Sequence, residues 1–129
     1  MLDHVGFPVA DFAKSKAFYD KALAPLGVTC IMELTQEMTA GRGAHAGYGE
    51  SGKPCFWIGT GKLHQPGIHV AFAAKDRAMV DAFYEAALAA GGRGNGAPGL
   101  RPMYHPNYYG AFVFDPDGHN IEAVCHKPG

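Results

Sequence analysis

The feature that most constrains this chain is an internal repeat. Displaced by 65 residues, about half its length of 129, the sequence matches itself: residues 4–27 align with residues 69–92 without a gap, and 12 of these 24 positions are identical. Unrelated segments would share about one or two residues by chance, so repeats of this kind indicate duplication. Two unrelated alanine-rich helices would explain part of the match, but not the shared His-Val-x-Phe and the shared aspartate. We predict one domain made of two like modules, about 1–64 and 65–129.

Each half contains the same order of segments. An alternating apolar segment predicts a strand, an aspartate at the N-cap position begins a helix, glycine ends it, and three more apolar segments predict strands. In the first half these elements are predicted at 2–9, 12–24, 28–35, 44–49 and 55–60. In the second half they are predicted at 67–74, 77–90, 93–95, 109–114 and 119–125, with an Asp-Pro-Asp-Gly turn joining the last two. The expected fold class is α+β, with two tandem β-α-β-β-β modules forming a curved, mixed sheet around a cleft.

Composition excludes several classes of function. Hydrophobic residues make up 47% and charged residues 18% of the chain, and the formal net charge is −1 without a basic run. We therefore expect neither nucleic acid nor an anionic membrane as a partner. No apolar run approaches the ~20 residues of a membrane span, and the N-terminal residues lack a signal-peptide pattern. The three cysteines are widely spaced without a C-x-x-C motif, which fits a cytoplasmic location without a disulfide framework.

Two histidines and one glutamate form the strongest candidate site. His4 and His69 are related by the repeat, and Glu122 falls at the position that Trp57 occupies in the first half. Two imidazoles and one carboxylate on strands leave open coordination positions and suit Fe, Ni, Co, Mn or Zn. A single strand histidine is more often a structural residue, but a carboxylate in an apolar strand is costly to bury without a partner. We therefore predict that His4, His69 and Glu122 bind a divalent metal.

Segment 101–109 is the second candidate for function. Its sequence, Arg-Pro-Met-Tyr-His-Pro-Asn-Tyr-Tyr, is dense in aromatic and hydrogen-bonding groups just before a predicted strand. At the mouth of a cleft it would recognise a polar or aromatic small molecule; alternatively, its rings pack over an exposed strand end. The candidate substrate-binding residues are Trp57, Arg101, Tyr104, His105, Tyr108 and Phe112.

The remaining histidines and cysteines carry no pattern that indicates chemistry. His45, His64, His119 and His126 are expected at the surface, with His119 in or near the Asp-Pro-Asp-Gly turn. Cys55 and Cys125 flank predicted cleft strands and are expected to be buried and inert.

Three segments carry a resemblance to a known family. They are Leu-Asp-His-Val at 2–5, Gly-Ile-His-Val-Ala-Phe at 67–72, and Phe-Asp-Pro-Asp-Gly-His-Asn-Ile-Glu at 114–122. These segments resemble the vicinal oxygen chelate superfamily, the fold of glyoxalases, bleomycin-resistance proteins and extradiol dioxygenases. The resemblance covers nearly the whole chain and implies paired β-α-β-β-β modules, with His4, His69 and Glu122 as metal ligands. It also implies a homodimer, in which the site is either intrachain or shared between two chains.

Two positions depart from the patterns of the family's known enzymes. Trp57 lies where glyoxalases I and acyl-CoA epimerases carry a fourth ligand, a carboxylate that also serves in acid–base steps. Phe112 lies where extradiol dioxygenases and fosfomycin-resistance transferases place a tyrosine, and Tyr108 or Tyr109 could replace it. We take Glu122 and Tyr109 as the catalytic candidates of a metal-dependent enzyme, with lyase or isomerase, dioxygenase and transferase chemistry all open. The alternative is a metal-free binding protein of the bleomycin-resistance type, with Trp57 stacking on the ligand.

Overall fold

The computed structural model describes residues 2–63 and 67–129, and each half forms the predicted β-α-β-β-β module. The first module contains β1 (Val5–Val9), α1 (Phe12–Ala22), β2 (Thr29–Leu34), β3 (His45–Gly49) and β4 (Phe56–Thr60). The second contains β5 (His69–Ala73), α2 (Arg77–Ala89), β6 (Arg93–Leu100), β7 (Tyr109–Phe114) and β8 (Asn120–Cys125). His64, which we expected at the surface, lies outside the described residues.

The strands form two four-stranded mixed sheets with the same topology. Their orders are β1-β4-β3-β2 and β5-β8-β7-β6, with β1 parallel to β4 and β5 parallel to β8. The register repeats as well, because Gly6 pairs with Trp57 in the first sheet and Ala71 pairs with Glu122 in the second. The α+β prediction is confirmed, and the repeat extends to the pairing of individual residues.

The predicted helix starts are confirmed by their caps. Asp11 accepts a hydrogen bond from the backbone N–H of Lys14 at 3.1 Å, and Asp76 accepts one from Met79 at 2.8 Å. Each cap satisfies a donor that the first helical turn leaves unpaired. Helix α1 ends earlier than predicted, at Ala22, where the chain passes into a single 3₁₀ turn that contains Pro25.

Each helix covers one face of its own sheet and leaves the opposite face open. The buried apolar residues of the helices are Phe18, Tyr19 and Ala22 in α1, and Val80, Phe83 and Ala87 in α2. On the open faces, Gly6 and Ala71 are exposed. These open faces carry the candidate site residues, because side chains alternate between the two sides of a strand.

Strand β6 runs five residues beyond its predicted end at residue 95. Its sequence, Arg-Gly-Asn-Gly-Ala-Pro-Gly-Leu, has little β-propensity, and the register shifts at Gly96 and Gly99. Its extended conformation is therefore stabilised by pairing with β7 and not by the β-propensity of its own residues.

The Asp-Pro-Asp-Gly turn between β7 and β8 also joins the two halves. Asp115 is buried and accepts hydrogen bonds from the Tyr19 hydroxyl at 2.5 Å and from the backbone N–H groups of Asp117 and His119 at 2.9 Å. Asp117 accepts another from the backbone N–H of Ala10. The turn is therefore a link between α1, the end of β1 and the second sheet.

Two expectations about exposure are wrong. His119 is buried: its Nδ1 accepts the backbone N–H of Ile68 at 3.0 Å, and its ring centroid lies 4.3 Å from that of Phe7. The reason is that the turn packs between the modules, which the local sequence does not reveal. Cys55 is exposed, whereas Cys125 is buried as expected.

Neither helix in the described part of the chain has the length and apolar character needed to cross a bilayer.

Candidate functional site

The open face of the second sheet holds a hydrogen-bonded group around Glu122. This carboxylate, on the central strand β8, is only 1% exposed. Oε1 of Glu122 lies 3.1 Å from Nε2 of His69, and Oε2 accepts the hydroxyl hydrogen of Tyr108. The three side chains come from the start of β5, from β8 and from the residue before β7, so the sheet itself positions them.

The hydrogen bonds of His69 determine which of its nitrogens can bind a ligand. Nδ1 lies 2.8 Å from the backbone carbonyl oxygen of Asn120, which only accepts, so Nδ1 carries a hydrogen. Nε2 then faces Glu122 either as an imidazolium N–H or as a lone pair beside a carboxylate. A lone pair in that position requires a cation, and a histidine held through Nδ1 by a carbonyl is a common arrangement for a metal ligand.

Tyr108 is a proton donor with a high pKa. Burial and the hydrogen bond to Glu122 raise its pKa from 10.0 to about 12. The hydroxyl therefore keeps its hydrogen throughout the neutral range.

This group lines a cavity of about 500 Å³. The other lining residues are Tyr104, Phe112 and Asn120. The ring of Phe112 stacks against His69 with centroids 6.2 Å apart, and the ring of Tyr104 packs edge-on against Tyr108 at 5.1 Å. We call this space the second-sheet cavity.

Three other predicted site residues do not line this cavity. Tyr109 points to the opposite side of β7, where its hydroxyl donates to Asp81 of α2 at 2.7 Å. Arg101 lies over the Phe112 ring, with Cζ 5.4 Å from the ring centroid, and donates to a backbone carbonyl. His105 packs against His126, with ring centroids 5.6 Å apart. The hydroxyl beside Glu122 thus comes from Tyr108 rather than from Tyr109.

The open face of the first sheet holds a separate cavity of about 570 Å³. Its lining residues are His4, Gly6, Leu34, Thr39, Arg42, His45 and Trp57. We call it the first-sheet cavity. His4 and Trp57 were predicted as site residues, whereas His45 was expected at the surface and is half-buried in this cavity. Arg42 was not predicted as a site residue. The repeat nevertheless gave a signal for it, because displacement by 65 residues aligns its loop with the aromatic segment 101–108.

Glycines allow two rings to lie flat on the first sheet. A Cβ atom at Gly47 would lie 2.8 Å from two carbons of the Trp57 ring, and one at Gly59 would overlap Nδ1 of His45. In the second sheet the position equivalent to Gly47 is Phe112, which pairs with Glu122 as Gly47 pairs with Trp57. One sheet therefore presents a flat indole where the other presents a carboxylate.

His4 is held in the same way as a metal-ligating histidine but lies in a different cavity from His69 and Glu122. Its Nδ1 lies 2.8 Å from Asp3, which also accepts a hydrogen bond from Lys53. The hydrogen bonds from Lys53 and then His4 lower the pKa of Asp3. Within residues 2–63 and 67–129, no three His, Cys, Asp or Glu side chains lie close enough together to hold a metal. A single chain thus holds His69 and Glu122 together but not His4 with them.

Solved structures share this fold along nearly the whole chain. A glyoxalase/bleomycin resistance protein from Albidiferax ferrireducens T118 is 31% identical, with a TM-score of 0.76 and 97% of each chain covered. A glyoxalase I mutant from Zea mays is 24% identical (TM-score 0.72), and the match covers 95% of this chain and 46% of that one. A mutant of the fosfomycin resistance protein FosX from Listeria monocytogenes, solved with Mn(II) and 1S,2S-dihydroxypropylphosphonic acid, is 20% identical (TM-score 0.68), and the match covers 96% of this chain and 88% of that one.

No curated protein sequence matches the chain. A family model does match residues 1–123, a range that spans both of the paired modules described above. The chain belongs to the Glyoxalase/Bleomycin resistance protein/Dioxygenase superfamily.

Proposed function

We propose that this protein is a divalent-metal-dependent enzyme acting on a small oxygen-chelating substrate. The metal would be bound by His69 and Glu122 of one chain and by His4 of a second copy, in a cytoplasmic homodimer. One observation carries the proposal: Nδ1 of His69 donates to a carbonyl, so that Nε2 can present its lone pair beside the buried carboxylate of Glu122. The manganese bound to FosX is consistent with this metal chemistry in the same fold.

The donor set fits a first-row divalent ion. Imidazole nitrogen and carboxylate oxygen together suit Fe, Mn, Co, Ni and Zn, and two histidines with one carboxylate leave coordination positions for substrate. Both histidines already use Nδ1 in hydrogen bonds, with Asn120 and Asp3 as partners, which leaves Nε2 for coordination. A divalent ion bound here would act as a Lewis acid on substrate oxygens.

The chain's own groups have separate roles in this proposal. Tyr108 holds a proton beside Glu122 and, at neutral pH, can donate it to a substrate oxygen that gains charge. Phe112 packs against His69 and keeps water from that side of the ring. Asn120 orients His69 through its carbonyl oxygen.

A second copy of the chain is needed because the ligands lie on two separate open faces. His4 lies in the first-sheet cavity, and His69 and Glu122 lie in the second-sheet cavity. A twofold dimer that placed these faces opposite each other would form two equivalent sites, since such interfaces are reciprocal.

Mixing two defective variants tests the shared site. His4→Ala and Glu122→Ala should each lose bound Mn²⁺ or Zn²⁺ after dialysis, as measured by elemental analysis. When the two are unfolded together and refolded, half of the dimers are mixed and each carries one intact site, so about a quarter of the wild-type metal should return. Light scattering of the wild type should give twice the chain mass. If the mixture binds no more metal than the separate variants, the shared site is wrong.

A second candidate is a metal-free binding protein, because Trp57 lies flat on the sheet over Gly47 and offers a stacking surface. This function predicts ligand binding that is equally tight with a chelator present and in both metal-ligand variants.

A further inference from the structure

We infer that the first-sheet cavity binds an aromatic carboxylate, with Arg42 and His45 at its carboxylate and Trp57 stacked on its ring. This inference rests on the proposed function in one respect, since it names the substrate class for the cavity that contains His4. It assigns a role to Arg42 and His45, which the metal site does not use.

The first argument is that the guanidinium group of Arg42 differs in its interactions from those of the other arginines. The chain has four arginines, and the other three stack on aromatic rings: Arg77 on Tyr109, Arg93 on Phe114, and Arg101 on Phe112. Within the described ranges, the Arg42 guanidinium lies over no aromatic ring and makes no ion pair or hydrogen bond, although it lines a cavity. A guanidinium presents paired N–H donors that match the two oxygens of a carboxylate.

The second argument is the charge of the cavity. Among the described residues that line the cavity, Arg42 is the charged one, the imidazoles of His4 and His45 lie beside it, and none is an aspartate or glutamate. Asp3, which contacts His4 from outside the lining, is already paired with Lys53. The cavity therefore favours an anion over a cation or a neutral molecule.

The third argument is the order of the loop that carries Arg42. Between β2 and β3, the Thr39 hydroxyl donates to the carbonyl of Gly43 at 2.7 Å, and the Gly43 N–H donates to the Gln36 side chain at 3.2 Å. The Gly41 N–H also donates to the carbonyl of Gln36 at 2.9 Å. These bonds hold the loop before a ligand arrives, which reduces the entropy lost on binding.

The fourth argument is the shape of the apolar part of the cavity. The Trp57 ring lies across Gly47, where a Cβ atom would collide with it, and the ring lines the cavity. Leu34 forms an apolar wall. A planar ring fits such a surface better than a puckered one, because offset stacking adds to apolar burial.

Trp57 is the only tryptophan of the chain, so its fluorescence reports on this cavity directly. Three matched probes separate charge from shape: phenylacetate, its neutral analogue phenylacetamide, and cyclohexylacetate, which has the charge without the planar ring. Each is titrated into the full-length protein in the presence of Mn²⁺ and, separately, of EDTA. We expect saturable quenching by phenylacetate, with about tenfold weaker binding of phenylacetamide and weaker binding of cyclohexylacetate.

Arg42→Gln should weaken phenylacetate binding about tenfold and leave phenylacetamide unchanged. Arg42→Lys should weaken it less, since charge remains without the paired donors. The matched control is Lys14→Gln, which removes one positive charge from an exposed position on α1, and it should bind as the wild type does. Circular dichroism checks that each variant is folded.

Equal binding of phenylacetate and phenylacetamide would overturn the inference, as would equal losses in Arg42→Gln and Lys14→Gln, or no saturable quenching by phenylacetate. The proposed metal function fails separately. Suppose that phenylacetate binds in the presence of EDTA, that Arg42→Gln weakens this binding, and that the protein takes up no metal. The aromatic-carboxylate site is then supported, and the proposed metal-dependent enzyme is wrong.

Discussion

Nε2 of His69 lies 3.1 Å from Oε1 of Glu122, inside a sheet face where the carboxylate is almost fully buried. A buried carboxylate requires a counter-charge or donated hydrogen bonds. Tyr108 donates one hydrogen bond, to Oε2 of Glu122. The charge on Oε1 must be balanced by a group between this oxygen and the imidazole of His69. The pair can be joined by a proton or by a metal ion, and the two possibilities predict different behaviour of variants.

Glu122→Gln should abolish retention of a divalent metal while leaving the fold intact. The amide keeps the size of the side chain and removes the anionic oxygen that binds the ion. Metal content after dialysis, measured by elemental analysis, should fall from near-stoichiometric to background. Glu85→Gln, at an exposed position on α2, removes the same charge elsewhere and should retain the metal. Equal metal content in both variants would remove Glu122 from the ligand set.

Tyr108→Phe should remove one tyrosine that ionises near pH 12. The pKa of this group is about 12 in the folded chain and 10.0 without its surroundings. Its contribution to stability is thus present below pH 10 and lost as the pH rises from 10 to 12. Absorbance at the phenolate band, followed through alkaline pH in the native protein, should lack that late step in the variant. Ionisation of Tyr108 near pH 10 in the wild type would contradict the hydrogen bond to Glu122.

Tyr19→Phe should lower the free energy of unfolding by about 1–3 kcal/mol, because it leaves the buried Asp115 carboxylate with one donor fewer. Urea unfolding measures the change. Tyr48→Phe is a matched control: its hydroxyl bonds to Asp20, which is partly exposed and paired with Lys16. That loss should be about 1 kcal/mol or less. Similar losses in both variants would argue against a special role for the turn in joining the modules.

Gly47→Ala should displace the Trp57 ring. The added methyl group would lie 2.8 Å from ring carbons and 2.9 Å from Pro54, closer than atoms can approach without movement. Overpacking of this kind costs about 1–3 kcal/mol. The emission maximum of Trp57 should shift, and aromatic ligands should quench it less. An unchanged spectrum with unchanged ligand quenching would show that the ring does not depend on this glycine.

Much of the fold followed from one feature of the sequence. The displacement of 65 residues located both modules and related Gly6 to Ala71 and Trp57 to Glu122, and the strand register pairs these residues in the same way. This worked because side-chain periodicity and helix caps are local properties that a duplication preserves. Strand β6 was predicted too short, since its glycine-rich sequence is extended only by pairing with β7.

The candidate site residues remain a prediction, and their arrangement on the two sheets came from the structure. His4, His69, Trp57 and Glu122 do line cavities on the open sheet faces. The choice of Tyr108 over Tyr109 as the partner of Glu122 came from the tertiary structure, because adjacent residues at the start of a strand point to opposite faces.

Sequence by itself determined the duplicated β-α-β-β-β architecture and the helix starts at Phe12 and Arg77, both of which depend on short-range patterns. The tertiary structure alone decided that His119 is buried between the modules, that Arg42 and His45 border the Trp57 cavity, and that His4 lies in a different cavity from His69 and Glu122. These features depend on how two sheets pack against each other, and contacts between residues far apart in the chain leave no periodic signal in it.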